Sequence, residues 1–454
     1  MTITSQAASA ASLRSLCGGA VHLPGDPGYD AARIPWNVAV DQRPAAVAYP
    51  ADTAEIADVV RAAAKAGLRV APQGTGHNAG PLADLGDSVL LRTDAITGVT
   101  IGDGTATARG GTLWFPVVEA AANAGVAVLH GSSPDVGVLG YSLGGGIGWY
   151  ARALGLQANS ITAAEVILAD GSVVRTDADH DEDLFWALRG GGGNFGIVTE
   201  LEFRTYPFTT AYAGMLLWDW THAPEVLRRW TDWATTAPDE VTTAWRILQL
   251  PPLPELPEFL RGRSLVAIDG AVLADDDRAE EILRPLRELR PEIDTFGRTP
   301  APALARLHMD PEGPTPGLSA TTMLDTLPEA GIERLLEVAG PGSGSALLST
   351  ELRQLGGALG RRAEGAGALA SLPGSFLAFA VGIPLDPETP VQQHADRVVD
   401  ALEPWSVPGR YLNFVEQRYE VSTGYDTDTW NRLRSIRRSV DPNGLFLANH
   451  EIPV

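Results

Sequence analysis

The stretch Gln73-Gly74-Thr75-Gly76-His77 directly follows the apolar run Leu68–Pro72. The apolar run predicts a strand, and the two glycines after it predict a tight turn at the end of that strand. Backbone N–H groups of such a turn can approach a phosphorylated ligand closely, because no Cβ stands in the way. His77 adds an imidazole, which can act as a nucleophile or a tether. A histidine in a glycine turn can also be purely structural, so the residues alone leave both roles open.

A second glycine-rich stretch covers residues 131–149 and follows the strand-like run Val126–Leu129. Helical patterns precede both strands. In the first helical segment, Asp52 and Glu55 form a capping pattern and Gly67 is typical of a helix end. The second helical segment runs from about residue 112 to 124. Two α/β units are therefore expected to present two glycine loops to one ligand.

The third glycine run, residues 191–196, matches the pattern GxGxxG. The dinucleotide fingerprint with this pattern follows a strand and opens a helix. Here a helical segment, 183–189, precedes the glycines and a strand-like segment, 197–204, follows them. The order is reversed, which argues against a nicotinamide-binding site.

Composition narrows the class of protein further. The 454 residues are enough for two or three domains, and the hydrophobic fraction of 44% is that of a folded globular chain. The formal charge of −22 disfavours nucleic acids and anionic membranes as partners, because both are polyanions. Cys17 is the only cysteine, and no histidine or carboxylate spacing suggests a catalytic metal. No apolar run approaches the roughly 18 residues of a membrane span, so we expect a soluble, cytoplasmic enzyme with a small-molecule substrate.

The pattern of elements changes near Pro207. Residues 209–410 alternate separate strands with amphipathic helices, which predicts an α+β layer with helices on one face of a sheet. We expect one region at 1–208 with its core at about 41–208, a second domain at 209–410, and a C-terminal segment, 411–454, that returns to the first region; the family resemblance described next implies that the first region is the FAD-binding domain and the second the substrate domain.

Four ordered motifs carry a family resemblance. They are Pro72–His77, the run 131–149, the segment 184–199, and Tyr411-Leu412-Asn413-Phe414 with the terminal Asp441-Pro442…Phe446…Asn449. Together they resemble the berberine-bridge-enzyme-like branch of the vanillyl-alcohol-oxidase flavoproteins. The resemblance covers essentially the whole chain. It implies an α+β fold, in which a PCMH-type FAD-binding domain of two α/β subdomains is joined to an α+β substrate domain with an antiparallel sheet covered by helices.

The resemblance also implies FAD as the cofactor, bonded covalently through His77 to a methyl carbon of the flavin. The cofactor-binding residues expected on this basis are Gln73, Gly74, Thr75, Gly76, His77, Asn78, Gly131, Ser132, Ser133, Val136, Gly137, Gly140, Tyr141, Gly144, Gly145, Trp149, Gly196, Ile197, Val198, Tyr411, Asn413 and Asn449. Many members of the family carry a second covalent link through a cysteine, and Ser133 stands at that position. A serine cannot form the thioether, so one covalent bond is expected. Val136 matches a position that governs oxygen access in the family, and valine is of the oxygen-permitting type.

Two segments can supply the group that takes a proton from the substrate. Strand alternation places Glu351 and Arg353 on one face, and it would also place Tyr411 and Asn413 on one face. Either Glu351 or Tyr411 can be the base, with Glu351 preferred, and Arg353 and Asn413 are expected beside them. A purely structural Glu–Arg pair is the competing interpretation. In some family members, a glutamate in a segment that resembles residues 376–384 acts as the base. In this chain the segment has no ionisable residue.

Four functions fit these residues, one preferred and three alternatives. The preferred one is an FAD-dependent oxidase that abstracts a hydride from an alcohol or amine carbon of a natural-product intermediate or a sugar-like alcohol and passes electrons to O2, giving H2O2. The alternatives are a flavoprotein oxygenase acting on a polyketide-like substrate or a dehydrogenase with another acceptor. A flavin-binding protein without turnover is the fourth.

Overall fold

The computed structural model describes residues 10–254, 258, 260–386 and 388–454. Three β-sheets organise this part of the chain, and they are built in chain order from residues 21–92, 99–204 and 210–382. No helix within the described ranges is long and apolar enough to cross a membrane.

The first sheet delivers the first glycine loop. It comprises β1 (Val21–His22), β2 (Ala46–Ala48), β3 (Arg69–Gln73) and β4 (Ser88–Arg92) in the order β1-β2-β4-β3, with α1 (Tyr29–Ala32) and α2 (Thr53–Ala66) alongside. Strands β2, β4 and β3 are parallel. The Asp52 side chain accepts a hydrogen bond from the Glu55 N–H, and Gly67 ends α2 in the left-handed conformation. The helix therefore begins and ends where the sequence predicts.

The second sheet is antiparallel throughout. It comprises β5 (Val99–Ile101), β6 (Thr105–Arg109), β7 (Ile161–Ile167), β8 (Val173–Asp177) and β9 (Ile197–Arg204) in the order β5-β6-β9-β7-β8, with α3 (Trp114–Asn123), α4 (Val138–Leu143), α5 (Ala151–Leu154) and α6 (Glu182–Gly191). The strand expected at Val126–Leu129 is wrong. Only Ala127 pairs, with Tyr206, because the chain already turns toward the second glycine loop, where the His130 N–H bonds to the Val128 carbonyl.

The third sheet is antiparallel and has its long helices packed on one face, as the sequence predicts, while one short helix, Ala301–Leu304, packs on the other. Its strands are β10 (Thr210–Asp219), β11 (Val241–Gln249), β12 (Ser264–Val272), β13 (Ile293–Asp294), β14 (Gly297–Pro300), β15 (Leu318–Leu324), β16 (Ser349–Gln354) and β17 (Phe376–Gly382). Its helices are α7 (Ala223–Ala234), α8 (Asp276–Arg287), α9 (Ala301–Leu304), α10 (Glu329–Ala339) and α11 (Val391–Leu402). The order is β13-β10-β12-β11-β16-β17-β15, and β14 also pairs with β10. Trp230 and Trp245 anchor the core between the helices and the sheet, which leaves the other face available for a ligand.

The C-terminal segment returns to the first sheet. In the last turn of α12 (Thr427–Val440), Arg437 forms a buried ion pair with Asp441, at 2.8 Å. In place of the predicted final strand, the structure has a single parallel bridge between Phe446 and Val70 of β3. The extended segment expected at 411–414 is also wrong, because Leu412–Phe414 forms a 3-10 turn. The turn, rather than strand alternation, brings Tyr411 and Asn413 together.

Candidate active site

A cavity of about 520 Å³ lies where the glycine loops of the first two sheets meet the face of the third sheet that its long helices leave uncovered. Most of the residues predicted for the site line it. These are Gln73, Gly74, Thr75, Gly76, His77, Asn78, Gly131, Ser132, Ser133, Val136, Gly137, Gly140, Tyr141, Gly144, Gly196, Ile197, Val198, Glu351, Arg353, Tyr411, Asn413 and Asn449. The tertiary structure thus gathers residues from six separate parts of the chain around one space.

Two predicted residues do not line the cavity. Trp149 is buried behind it, and its indole N–H donates to the Leu304 carbonyl at 3.0 Å. Gly145 faces the Tyr411 ring, so a Cβ there would lie 2.8 Å from that ring. Both residues support the wall from outside, because the chain after the second loop turns away from the cavity.

The first glycine loop fixes the position of His77. Gly76 has φ +81°, and a Cβ at this position would lie 2.7 Å from Pro35, so glycine is required here. The His77 ring stacks on Trp36 with 4.0 Å between ring centroids and 17° between ring planes. Its Nδ1 lies 2.7 Å from the hydroxyl of Thr75. The imidazole is therefore held in one plane, with one nitrogen at the hydroxyl.

Asp135 lies behind His77 and is a residue that sequence reasoning missed. Its carboxylate accepts hydrogen bonds from the Trp36 indole at 2.7 Å and from the Gly313 N–H at 2.8 Å. The Ser133 hydroxyl donates to it as well, at 3.0 Å. Burial acts to raise the pKa of Asp135, but the contacts with His77, Gly313 and Trp36 outweigh burial and hold that pKa well below its usual range. The group is an anion at neutral pH. Its position in the second loop was the only available signal, since Trp36 is 99 residues away.

Tyr411 presents a phenol oxygen that accepts two hydrogen bonds. The Gly146 N–H donates to it at 2.7 Å and the Asn413 amide at 3.0 Å. The same amide also donates to the Tyr141 carbonyl at 2.9 Å, which fixes its orientation. Burial raises the pKa of Tyr411 well above 10, while these two donors and the nearby Arg353 act in the opposite direction. Two donors aimed at one oxygen favour its negatively charged form.

Glu351 belongs to a buried charge network on the face of the third sheet. Arg353 forms an ion pair with it, and His308 Nε2 lies 3.3 Å from its Oε2. On the far side, His308 Nδ1 lies 2.9 Å from Asp269, which is also paired with Arg246. Burial acts to raise the pKa of Glu351, but Arg353 and His308 outweigh it and lower the pKa. The sequence contained no signal for His308, Asp269 or Arg246, because their grouping depends on strand pairing.

His308 is positively charged in this network. Burial and Arg246 act to lower its pKa, but the carboxylates of Asp269 and Glu351 raise it to about 9. Glu351 is thus a carboxylate held by two cations. Arg353 itself extends toward the second loop, where it lies 3.4 Å from the Ser132 hydroxyl and 4.9 Å from the centre of the Phe414 ring.

The outer part of the wall is mainly apolar. Leu248 and Val381 flank Ser349 in the pairing of β11, β16 and β17, one step outward from Glu351. The other apolar residues of this wall are Leu250, Met309, Leu348, Phe379 and Ile383. Polar groups lie among them: the buried Ser349 hydroxyl has no hydrogen-bond partner among the described residues. Glu416 accepts a hydrogen bond from Ser319 at 2.7 Å, and burial raises its pKa to about 7.

The lining has the chemistry of a ligand site. Several of its buried polar atoms have no hydrogen-bond partner among the described residues, among them Gln73 Nε2, Asn78 Oδ1, Tyr141 OH, Ser349 Oγ and His450 Nδ1. Native proteins rarely leave such atoms unpaired, so a polar ligand is expected to satisfy them. No cluster of three or more potential metal ligands occurs within the described ranges. An organic ligand with several hydrogen-bonding groups, such as a flavin nucleotide, fits these donors and acceptors.

Comparison with known proteins identifies that ligand. The FAD binding domain family matches residues 44–177. The glucooligosaccharide oxidase of Sarocladium strictum is 36% identical over 223 residues, which cover 47% of this chain and 45% of that one. The (R)-6-hydroxynicotine oxidase of Paenarthrobacter nicotinovorans is 34% identical over 203 residues, 44% of each chain. The match therefore spans about half the length of these curated relatives.

Solved structures share the fold over the full length. A variant of Physcomitrella patens BBE-like 1 superposes with a TM-score of 0.84 at 20% identity, covering 100% of this chain and 99% of that one. Glucooligosaccharide oxidase from Acremonium strictum, described with a 6-S-cysteinyl, 8α-N1-histidyl FAD, superposes with a TM-score of 0.79 at 24% identity. The match covers 99% of this chain and 98% of that one. The family match therefore defines residues 44–177 as an FAD-binding domain. The chain as a whole has the fold of BBE-like 1 and of glucooligosaccharide oxidase.

Proposed function

We propose that this protein is an FAD-dependent oxidase that oxidises an alcohol or amine carbon of a small molecule and reduces O2 to H2O2. The observation that carries the proposal is the meeting of His77 with Tyr411, Glu351 and Arg353 around one cavity. When bound, FAD supplies the two-electron acceptor for the substrate and the donor for O2. The protein supplies the tether, the proton acceptor and the walls that orient the substrate.

His77 is the proposed attachment point of FAD. It lines the cavity in the glycine loop, and the relative from Acremonium strictum is described with a histidyl FAD. Ser133 lines the same cavity and has no thiol, so the attachment is through one residue only. Val136 also lines the cavity, in keeping with access for oxygen.

Tyr411 is the proposed proton acceptor, in place of the Glu351 preferred from the sequence. Glu351 is held by Arg353 and His308 and has a lowered pKa, which makes it a weak base at neutral pH. The Tyr411 oxygen instead receives two donors that stabilise a phenolate and oppose the burial that raises its pKa, so the proposed base is the phenolate that forms as pH rises. Glu351 then serves to fix Arg353 beside the second loop.

The wall favours a substrate with a polar reactive end and an apolar body. A sugar chain would present hydroxyl groups along its whole length, and their burial against Leu248, Val381 and Ile383 would leave hydrogen bonds unmade. An apolar body gains about 25 cal/mol per Å² of surface buried there. The natural-product class is therefore favoured over the sugar-like alcohols.

The cofactor and its linkage are tested by denaturing the purified protein in acid and recording the visible spectrum of the precipitate. We expect yellow colour to stay with the wild-type polypeptide and with a His180→Ala control, since His180 is exposed. His77→Ala should release all of its flavin. A wild-type precipitate without colour would contradict the proposed linkage.

The reaction is tested by anaerobic reduction of the bound flavin with a panel of aliphatic and aromatic alcohols and amines beside cello- and xylo-oligosaccharides. Reduction by the apolar members, followed by close to one H2O2 per substrate in air, is the expected result. Incorporation of labelled oxygen into the product would instead indicate an oxygenase. Reduction by the oligosaccharides alone would contradict the substrate class while leaving the oxidase intact.

A further inference from the structure

We propose that Asp135 is a positioning residue that prepares His77 for covalent attachment of FAD. The proposal rests on the proposed function, because it concerns how this chain forms the His77 linkage. Asp135 does not line the cavity and so lies behind the imidazole, out of reach of the substrate wall.

The carboxylate of Asp135 is fixed by parts of the chain that are far apart in sequence. Trp36 comes from the N-terminal segment, Ser133 from the second loop and Gly313 from the stretch before β15. The Trp36 that donates to Asp135 also stacks on His77. One indole therefore sets both the plane of the imidazole and the position of the carboxylate beside it.

The imidazole edge facing Asp135 is Nε2. It lies 3.5 Å from Asp135 Oδ1 and has no hydrogen-bond partner of normal length among the described residues. A carboxylate at this nitrogen favours the tautomer with the proton on Nε2, as carboxylates do behind reacting and metal-binding histidines. The lone pair then lies on Nδ1, beside the Thr75 hydroxyl.

This tautomer is the one that attachment requires. A bond forms between His77 Nδ1 and the 8α methyl carbon of FAD, and a C–H bond of that methyl group breaks. The methyl proton and the Nε2 proton are released, and the electron pair of the C–H bond reduces the ring system. O2, the acceptor of the proposed reaction, then takes the two electrons and two protons to give H2O2. Asp135 stabilises the positive charge on the imidazole until Nε2 loses its proton.

The test follows attachment itself. Apoprotein produced under flavin limitation is mixed with FAD in air, and acid-stable flavin is measured over time on denaturing gels by fluorescence. Asp135→Asn keeps the shape of the side chain and removes its charge. We expect attachment in this variant to be slower by about 10- to 100-fold, the effect that removing the carboxylate behind a metal-binding histidine usually has. Total FAD bound, including the extractable part, should stay close to wild type.

Two further variants separate positioning from folding. Asp135→Glu retains a carboxylate and should recover part of the attachment rate, whereas a merely structural role would not favour glutamate over asparagine. Trp36→Phe removes one donor but keeps a stacked ring, so it should attach FAD faster than Asp135→Asn does. Attachment in Asp135→Asn at the wild-type rate would overturn the role of Asp135 and leave the His77 linkage standing. A wild-type protein that never holds acid-stable flavin would overturn both.

Discussion

At the scale of single residues, the site depends on how burial and hydrogen bonding oppose each other at Tyr411 and Glu351. Burial favours the neutral form of both groups. At Glu351 the cations Arg353 and His308 outweigh burial, so the carboxylate stays charged. At Tyr411 burial wins, because its partners are dipoles rather than a directly bound cation.

This difference gives a pH prediction. If Tyr411 is the base, flavin reduction should become faster as pH rises from about 6 to about 10, because its pKa is raised and more phenolate forms at higher pH. Tyr411→Phe should lower the reduction rate by roughly 100- to 10,000-fold and flatten this profile. Anaerobic stopped-flow measurements check both. If the wild-type reduction rate does not change with pH near neutrality, and if Glu351→Gln rather than Tyr411→Phe lowers that rate, Glu351 is the base.

Ser133 allows a second prediction at this scale. Without a thioether, the flavin is expected to be less oxidising than in a doubly linked protein. Ser133→Cys, if it forms the second bond, should raise the midpoint potential measured by dye equilibration. Because Ser133 also donates to Asp135, Ser133→Ala serves as the control for loss of that hydrogen bond alone. An unchanged potential in a variant with two proven bonds would contradict the idea.

At the scale of elements, the end of α4 is packed directly against the C-terminal turn. A Cβ at Gly144 would lie 1.8 Å from the Asn413 amide oxygen, although the Gly144 backbone itself suits any residue. Gly144→Ala should therefore displace Asn413 and remove a donor from Tyr411. We expect the reduction rate to fall roughly tenfold or more, with a fall in thermal stability of about 1–3 kcal/mol from overpacking.

Gly360→Ala is the matched control for this change. A Cβ at Gly360 has no neighbour within 4 Å, so neither rate nor stability should change appreciably. Melting curves and stopped-flow traces of the two variants, recorded side by side, check the prediction. Equal behaviour of the two variants would show that the contact between α4 and the turn has no influence on Tyr411.

At the scale of the whole molecule, Glu416 joins the C-terminal segment to β15 of the third sheet through Ser319. Its pKa is raised by burial from 4.5 to about 7 in the folded protein. A carboxyl group with a raised pKa contributes most to stability below its unfolded pKa, and that contribution is lost as pH rises through the folded pKa. The protein should therefore lose stability between about pH 4.5 and pH 7 on account of this residue.

Glu416→Gln removes that titration. Relative to the variant, the wild type should lose up to about 3 kcal/mol of unfolding free energy across this range, which is the shift of about 2.5 pKa units converted to energy. Denaturant unfolding of both proteins at each pH measures the difference, and the subtraction cancels all other titrating groups. A difference that does not vary with pH would contradict the raised pKa.

Local signals allowed a large part of the fold to be predicted. Alternation and capping predicted α2, the hairpin of β7 and β8, and the long strands β10, β11, β12, β16 and β17, because each depends on residues close together in the chain. Strands β13 to β15 were missed, since β13 and β14 have only two and four residues and gain their order from pairing with β10. The strand expected at Val126–Leu129 failed for the same reason, as it has almost no pairing partner.

By itself, the sequence determined the glycine loops, the position of His77 after the first of them, and the shared face of Glu351 and Arg353. These features follow from local backbone geometry, which only nearby residues control. Only the tertiary structure decided that Asp135 and Trp36 meet at His77, and that His308 joins Glu351 to Asp269. Such pairs depend on which strands and loops become neighbours. That outcome is set by burial summed over the whole chain, so no short stretch of sequence contains it.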